Sequence, residues 1–191
     1  MPDLSLVTML FIGVNLDFFV ILLFLLQKYR FRDNFIGYEL GMLIVFAISA
    51  LAGQLIQTVI PTWAIGFLGL LPIYMGIKGE NEDEDDQSKS ASHRGIIAVL
   101  TMYLASCGAD NIAVYVPVLA TMTTTAILIT MVYFIVLTAV SLTLASFFGQ
   151  IPIIKRIFER WGSPLSRLIY ILIGLFVMFD TGLIQFIINL F

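Results

Sequence analysis

Cys107, Asp110 and Asn111 are spaced i, i+3 and i+4 within Ser106 to Pro117, a stretch otherwise apolar enough to cross a bilayer. On an α-helix that spacing presents a soft sulfur, a carboxylate and an amide oxygen on one face. A charge at bilayer depth costs roughly 3 kcal/mol even on lenient insertion scales, so a chain that keeps one there ordinarily uses it. A second polar pair, Asn15 and Asp17, stands at similar depth in the first hydrophobic run. Facing each other, the two stretches would form a cation site. The mixed donors suit a borderline or soft divalent ion, since magnesium or calcium takes oxygens alone. Pro117 cannot donate to the Ala113 carbonyl, which leaves a further oxygen or a kink nearby. Asn15 and Asp17, two residues apart, point to nearly opposite sides of a regular helix. Either one of them lines the cavity, or the helix unwinds beside Gly13. The plainer alternative is that these groups only bond neighbouring helices, with Cys107 a small buried hydrophobe.

The elements that must position them follow from composition. Sixty per cent apolar residues and 12% charged residues, with a mean hydropathy of +1.00, describe a polytopic membrane protein rather than a water-soluble globule. The expected fold is all-α, with six transmembrane spans close to the roughly 17–25 residues that a bilayer requires. They run from Leu4 to Leu26, Tyr38 to Val59, Trp63 to Ile77, Gly95 to Thr121, Ala126 to Phe148 and Leu168 to Leu190. The third is short and interrupted by Gly66, Gly69 and Pro72. Of the acids, Asp17, Asp110 and Asp180 fall well inside these spans. Asp180 has no carboxylate counterpart in the third span. Ser49, Gln54, Gln57, Thr138, Ser141 and Ser146 are expected to hydrogen-bond between helices or to line a path. The N-terminus lacks the basic flank of a signal peptide, so the first run is expected to remain as a span.

Every lysine and arginine falls in a loop after the first, third or fifth span, from Lys28, Arg30 and Arg32 through Lys78, Lys89 and Arg94 to Lys155, Arg156, Arg160 and Arg167. The positive-inside rule puts those loops in the cytoplasm and both termini outside. The single cysteine makes no intrachain disulfide and no Cys-x-x-Cys motif.

The chain also reads as doubled. Asn15/Asp17 is answered by Asp110/Asn111, Gly53-Gln54 by Gly149-Gln150, Trp63 by Trp161, and Ile73-Tyr74 by Ile169-Tyr170. From the motif aspartate, the last three landmarks lie 36, 46 and 56 residues on in the first half and 39, 51 and 59 in the second. An odd number of helices per unit turns the second unit upside down, the inverted-repeat plan of secondary transporters. The expected division is a first three-helix repeat over 1–78, an acidic cytoplasmic linker over 79–94 and a second repeat over 95–191. The linker carries Glu80, Glu82, Asp83, Glu84, Asp85 and Asp86. It reads as a solvated connection in preference to a cation-concentrating mouth.

Val14 to Phe24 and Cys107 to Pro117, Cys-Gly-Ala-Asp-Asn-Ile-Ala-Val-Tyr-Val-Pro, resemble the paired signatures of the CadD-type cadmium-resistance transporters of bacteria, within the LysE exporter superfamily. The resemblance covers the whole chain. It implies efflux of a divalent metal, cadmium, across the cytoplasmic membrane, with Asn15, Asp17, Asp110 and Asn111 as site residues and Asp180 as a weaker match. Asp17 is followed by Phe18 where the family pattern often has a second acid. Cys107-Gly108-Ala109 stands where Asn-Gly-Gly is frequent. One change lowers the negative charge and the other softens the site.

No Gly-x-x-x-x-Gly-Lys-Ser/Thr loop is present, so transport would draw on an ion gradient or run downhill. Asp17 and Asp110 are the expected carriers of metal one way and protons the other. No cofactor is expected beyond the transported ion, and the partners are that ion and the lipid, with no nucleic acid. Gly37-x-x-x-Gly41 and Ser49-x-x-x-Gly53 would permit a close helix contact and a homodimer. Two other classes remain: a LysE-like exporter of a small organic solute such as an amino acid, disfavoured by the lack of mid-membrane lysine or arginine, and a non-transporting membrane scaffold. An intramembrane hydrolase is least favoured, since no histidine lies in a span.

Overall fold

The computed structural model describes residues 3–78, 95–148 and 151–188. The acidic linker and Gly149-Gln150 lie outside the described residues. All regular structure among those described is helical: α1 (Leu4–Lys28), α2 (Phe31–Val59), α3 (Thr62–Ile65), a 3-10 turn (Gly66–Gly69), α4 (Leu70–Lys78), α5 (Gly95–Ala120), α6 (Thr124–Phe148), α7 (Pro152–Asp180) and α8 (Leu183–Ile188). Phe31–Val59, Gly95–Ala120 and Thr124–Phe147 are long and apolar enough to cross a membrane, and α1 makes a fourth if its two arms count as one span. The segment Thr62–Lys78 is apolar but shorter.

Local chemistry sets the boundaries. Asp3 caps α1, its carboxylate accepting from the Ser5 and Leu6 amides at 2.9 and 3.3 Å. The far end of α1 is closed by Asn34, fully buried, whose amide donates to the carbonyls of Leu25, Tyr29 and Arg30. Those carbonyls include orphans that a helix end leaves. Pro72 sits in the first turn of α4, where its missing N–H has no intrahelical acceptor to lose. The interruption expected in the third span is therefore the 3-10 turn at Gly66–Gly69, not a proline kink.

The sixth segment departs from its expected bounds. Its helix already begins at Pro152, a residue preorganised for a first turn, and it breaks at Thr181 and Gly182. Gly182 has φ of 74°, a backbone that side chains disfavour, so α7 stops there and α8 leaves in a new direction.

α2 packs most extensively on α5. A Cβ at Gly37 would stand 2.6 Å from the Ile96 carbonyl oxygen, and one at Gly53 would stand 2.9 Å from the Ala120 nitrogen. The two backbones thus touch at both ends of a parallel pair. The close helix contact that these small residues permit is made inside the chain. Beside it, Phe11, Phe18, Tyr38, Phe46, Tyr103, Tyr115 and Phe134 fill the centre. Phe18 meets Tyr103 edge-on with centroids 4.8 Å apart, and Phe11 meets Phe134 at 5.2 Å. Such pairs each contribute about 0.5–1.5 kcal/mol beyond area burial. Outward faces carry Leu51, Leu55 and Val59, exposed as lipid-facing residues are.

Candidate functional site

The two motif helices meet in this aromatic centre, and they are built differently. α1 bends by 59° between Leu4–Leu16 and Phe18–Lys28, with Asp17 at the elbow. α1 stays helical beside Gly13, where unwinding was one of two alternatives, and bends about one turn further on. Gly13 instead receives the Ile169 side chain of α7. α5 runs unbroken past Gly108, Asp110 and Pro117.

Asn15 is buried one residue-pair before the elbow. Its amide nitrogen donates to the Phe11 carbonyl at 2.9 Å, and its oxygen accepts from the Tyr38 hydroxyl at 2.8 Å. The Tyr103 hydroxyl stands 3.4 Å from the same oxygen. Asn111, fully buried on α5, turns its amide so that the nitrogen donates to the Cys107 carbonyl at 3.1 Å and, across the helix gap, to the Val14 carbonyl at 3.2 Å. Its oxygen accepts from Tyr103 at 2.9 Å. Tyr103 has one proton and two amide oxygens within reach. The shorter contact takes it.

Cys107 is buried, with its sulfur 3.3 Å from the Ser106 hydroxyl. Asp110 is half-buried on α5, and Asp17 is a backbone position at the elbow. Asp180 is exposed at the end of α7 beside the Thr181–Gly182 turn. The structure therefore brings Asn15, Cys107 and Asn111 into one buried centre and leaves Asp180 at a helix end. Among the described residues, no group of three or more His, Cys, Asp or Glu stands close enough to hold a metal. What converges is amide and thiol, groups that can exchange hydrogen bonds for contacts to a cation, with tyrosine hydroxyls bonded to the amide oxygens.

A cleft of about 250 Å³ between α1 and α6, lined by Thr8, Phe11, Asn15, Phe19, Leu137 and Ser141 among others, reaches this centre. Gly108, also buried, has no described atom within 4 Å of where a Cβ would stand.

Sequence reasoning missed the tyrosines. Tyr103 lies four residues before Cys107 and eight before Asn111, on the same helical face, and that spacing was the available signal. It also passed over Glu39, which is buried in α2. Among the polar residues expected to tie helices together, Gln54 does so: it donates to the Met122 carbonyl at 3.1 Å and accepts from Thr124 at 3.2 Å. Ser49 and Ser146 bond carbonyls of their own helices, and Gln57 bonds Gln54 within α2. Ser141 lines the cleft, and the Thr138 hydroxyl is buried with no hydrogen-bond partner among the described residues.

A family model described as cadmium resistance transporter matches residues 11–190. The chain belongs to that family. No curated protein and no solved structure gives a match. Membership, with the apolar helices, makes this cadmium resistance transporter family member a multi-pass membrane protein. The matched range includes the bent α1 and the whole of α5, and so every residue of the amide–phenol centre.

Proposed function

We propose that this protein exports divalent heavy-metal ions, cadmium foremost, across the bacterial cytoplasmic membrane by secondary active transport. The observation that carries the reading is the buried centre where the elbow of α1 meets α5, within a chain of the cadmium resistance transporter family. An irregular helix beside polar groups at membrane depth is how many secondary transporters expose oxygens to an ion, and the bend of α1 supports that reading. Asn15 and Asn111 supply neutral oxygens, Cys107 a soft sulfur and Asp110 a carboxylate, and Asp17 supplies a second carboxylate at the elbow.

The cycle is alternating access between the units 1–78 and 95–191, arranged as inverted repeats, in exchange for protons. The basic residues at the turn between α1 and α2, at the end of α4 and along the first half of α7 support a cytoplasmic assignment for that end and an outside assignment for both termini. The function is transport, not catalysis.

Purified protein in proteoliposomes tests this. Acid-loaded vesicles should accumulate cadmium, and to a lesser degree zinc, but not manganese or any of an amino acid panel, with uptake collapsing when the pH gradient is dissipated. Movement of an amino acid in place of metal, or no movement of any metal, overturns the reading.

A further inference from the structure

Glu39 lies on α2 next to Tyr38, the residue that bonds Asn15. It is 8% exposed. Both carboxylate oxygens are closed off from solvent and have no hydrogen-bond partner among the described residues. The helix that carries it packs against α5, α6, α1 and α3. On α2, Tyr38 is its neighbour and points to Asn15, while the Asp33 carboxylate lies where a Cβ on Gly95 would stand. On α1, Asp17 is the elbow position, the stretch from Phe18 to Leu26 has no titratable group, and Lys28 beyond it lies over the Tyr29 ring at 5.6 Å. On α5, Tyr103 serves Asn111, Cys107 lies against Ser106, Tyr115 meets the rings of Phe46 and Phe134, and Asp110 is two turns beyond Tyr103. On α6, Tyr133 is bonded to Thr8, and α3 carries no titratable group.

A carboxyl group cut off from water and without donors is stable only as the neutral acid or with a cation upon it. A divalent metal needs several ligands, and among the described residues Glu39 belongs to no group of three or more His, Cys, Asp or Glu. A proton needs only one oxygen.

We propose that Glu39 is a proton-binding site, the carboxyl that carries the exchanged proton while Asn15, Cys107, Asp110 and Asn111 carry the metal. The inference rests on the metal-export reading above and adds a group to it that no motif contains. Tyr38 provides the physical link, since its hydroxyl bonds Asn15 while its backbone neighbour is the proton carrier. On deprotonation the proton leaves to water at the open face and the carboxylate must gain solvent. The two forms of Glu39 thus favour different openings of the bundle.

Two measurements on the full chain test this. In proteoliposomes, Glu39→Gln should retain exchange of labelled for unlabelled cadmium, which moves no net proton, and lose acid-driven cadmium uptake to the level of protein-free vesicles, with Glu39→Asp restoring part of it. Acid-driven uptake retained in Glu39→Gln, or exchange lost with it, overturns the proposal. Infrared difference spectra should contain a carbonyl stretch of a neutral carboxylic acid that disappears in Glu39→Gln, and absence of that band in the wild type also overturns it. A wild-type protein that exchanges no cadmium sinks the export reading instead, and the infrared band still decides the state of Glu39.

Discussion

Asn15 and Asn111, on different helices, share one phenol: the Tyr103 hydroxyl lies 3.4 Å from the first amide oxygen and 2.9 Å from the second. A single proton between two acceptors makes the junction of α1 and α5 sensitive to anything that takes one of those oxygens. Tyr103→Phe leaves the Asn111 oxygen buried without its donor, which costs about 1–3 kcal/mol. Thermal unfolding in detergent should show a lowered midpoint, and cadmium tolerance should fall in cells that still contain the protein. An unchanged midpoint would mean that the phenol does not hold the helices together.

Asp110→Asn removes the negative charge on α5 while preserving shape. Cadmium tolerance of the host should be abolished with no decrease in membrane-inserted protein, read by growth and immunoblot together. Tolerance equal to wild type removes Asp110 from the transport mechanism.

Cys107→Ser exchanges a soft donor for a hard one at nearly constant volume, and the soft ion should suffer most. Tolerance should drop more for cadmium than for zinc in paired growth curves. Equal losses for both ions would identify Cys107 as packing alone.

Two glycines should respond in opposite ways. Gly37→Leu drives a side chain into the α5 backbone at Ile96, an overpacking cost of about 1–3 kcal/mol or more. Gly108→Ala meets no described atom and should leave stability unchanged or raised by up to about 1 kcal/mol through helix propensity. Unfolding midpoints of the two variants check both signs.

Much of this was written in the chain before folding. Asn15 and Asn111 are legible because an amide inside a long apolar run has to find a partner, and the nearest supply is another such run. The class of fold was legible for the same reason, from hydropathy alone. Tyr38 and Tyr103 were not, because a tyrosine near the end of an apolar run reads equally well as an interfacial ring, and only the packing decides which way its hydroxyl points. Glu39 was hidden by its place near the start of the second span, where a carboxylate ordinarily reaches water. Gly37, Gly41, Ser49 and Gly53 declared a close contact but not its partner, since a stripe of small residues fits a helix of the same chain as well as one of another copy. The break at Thr181–Gly182 was missed because hydropathy is blind to the sign of φ.

In the proposed cycle the elbow in α1 is a lever. Its outer arm, Leu4–Leu16, is about 20 Å long at a helical rise of ~1.5 Å per residue, so pivoting by about 10° would carry its tip ~3 Å. That travel exceeds the width of one bare divalent ion. α5 offers no matching joint, so the swing belongs to one half of the molecule, and a cross-link fastening Thr8 to Tyr133, already 2.9 Å apart at their oxygens, would lock the gate from a point far from the cargo.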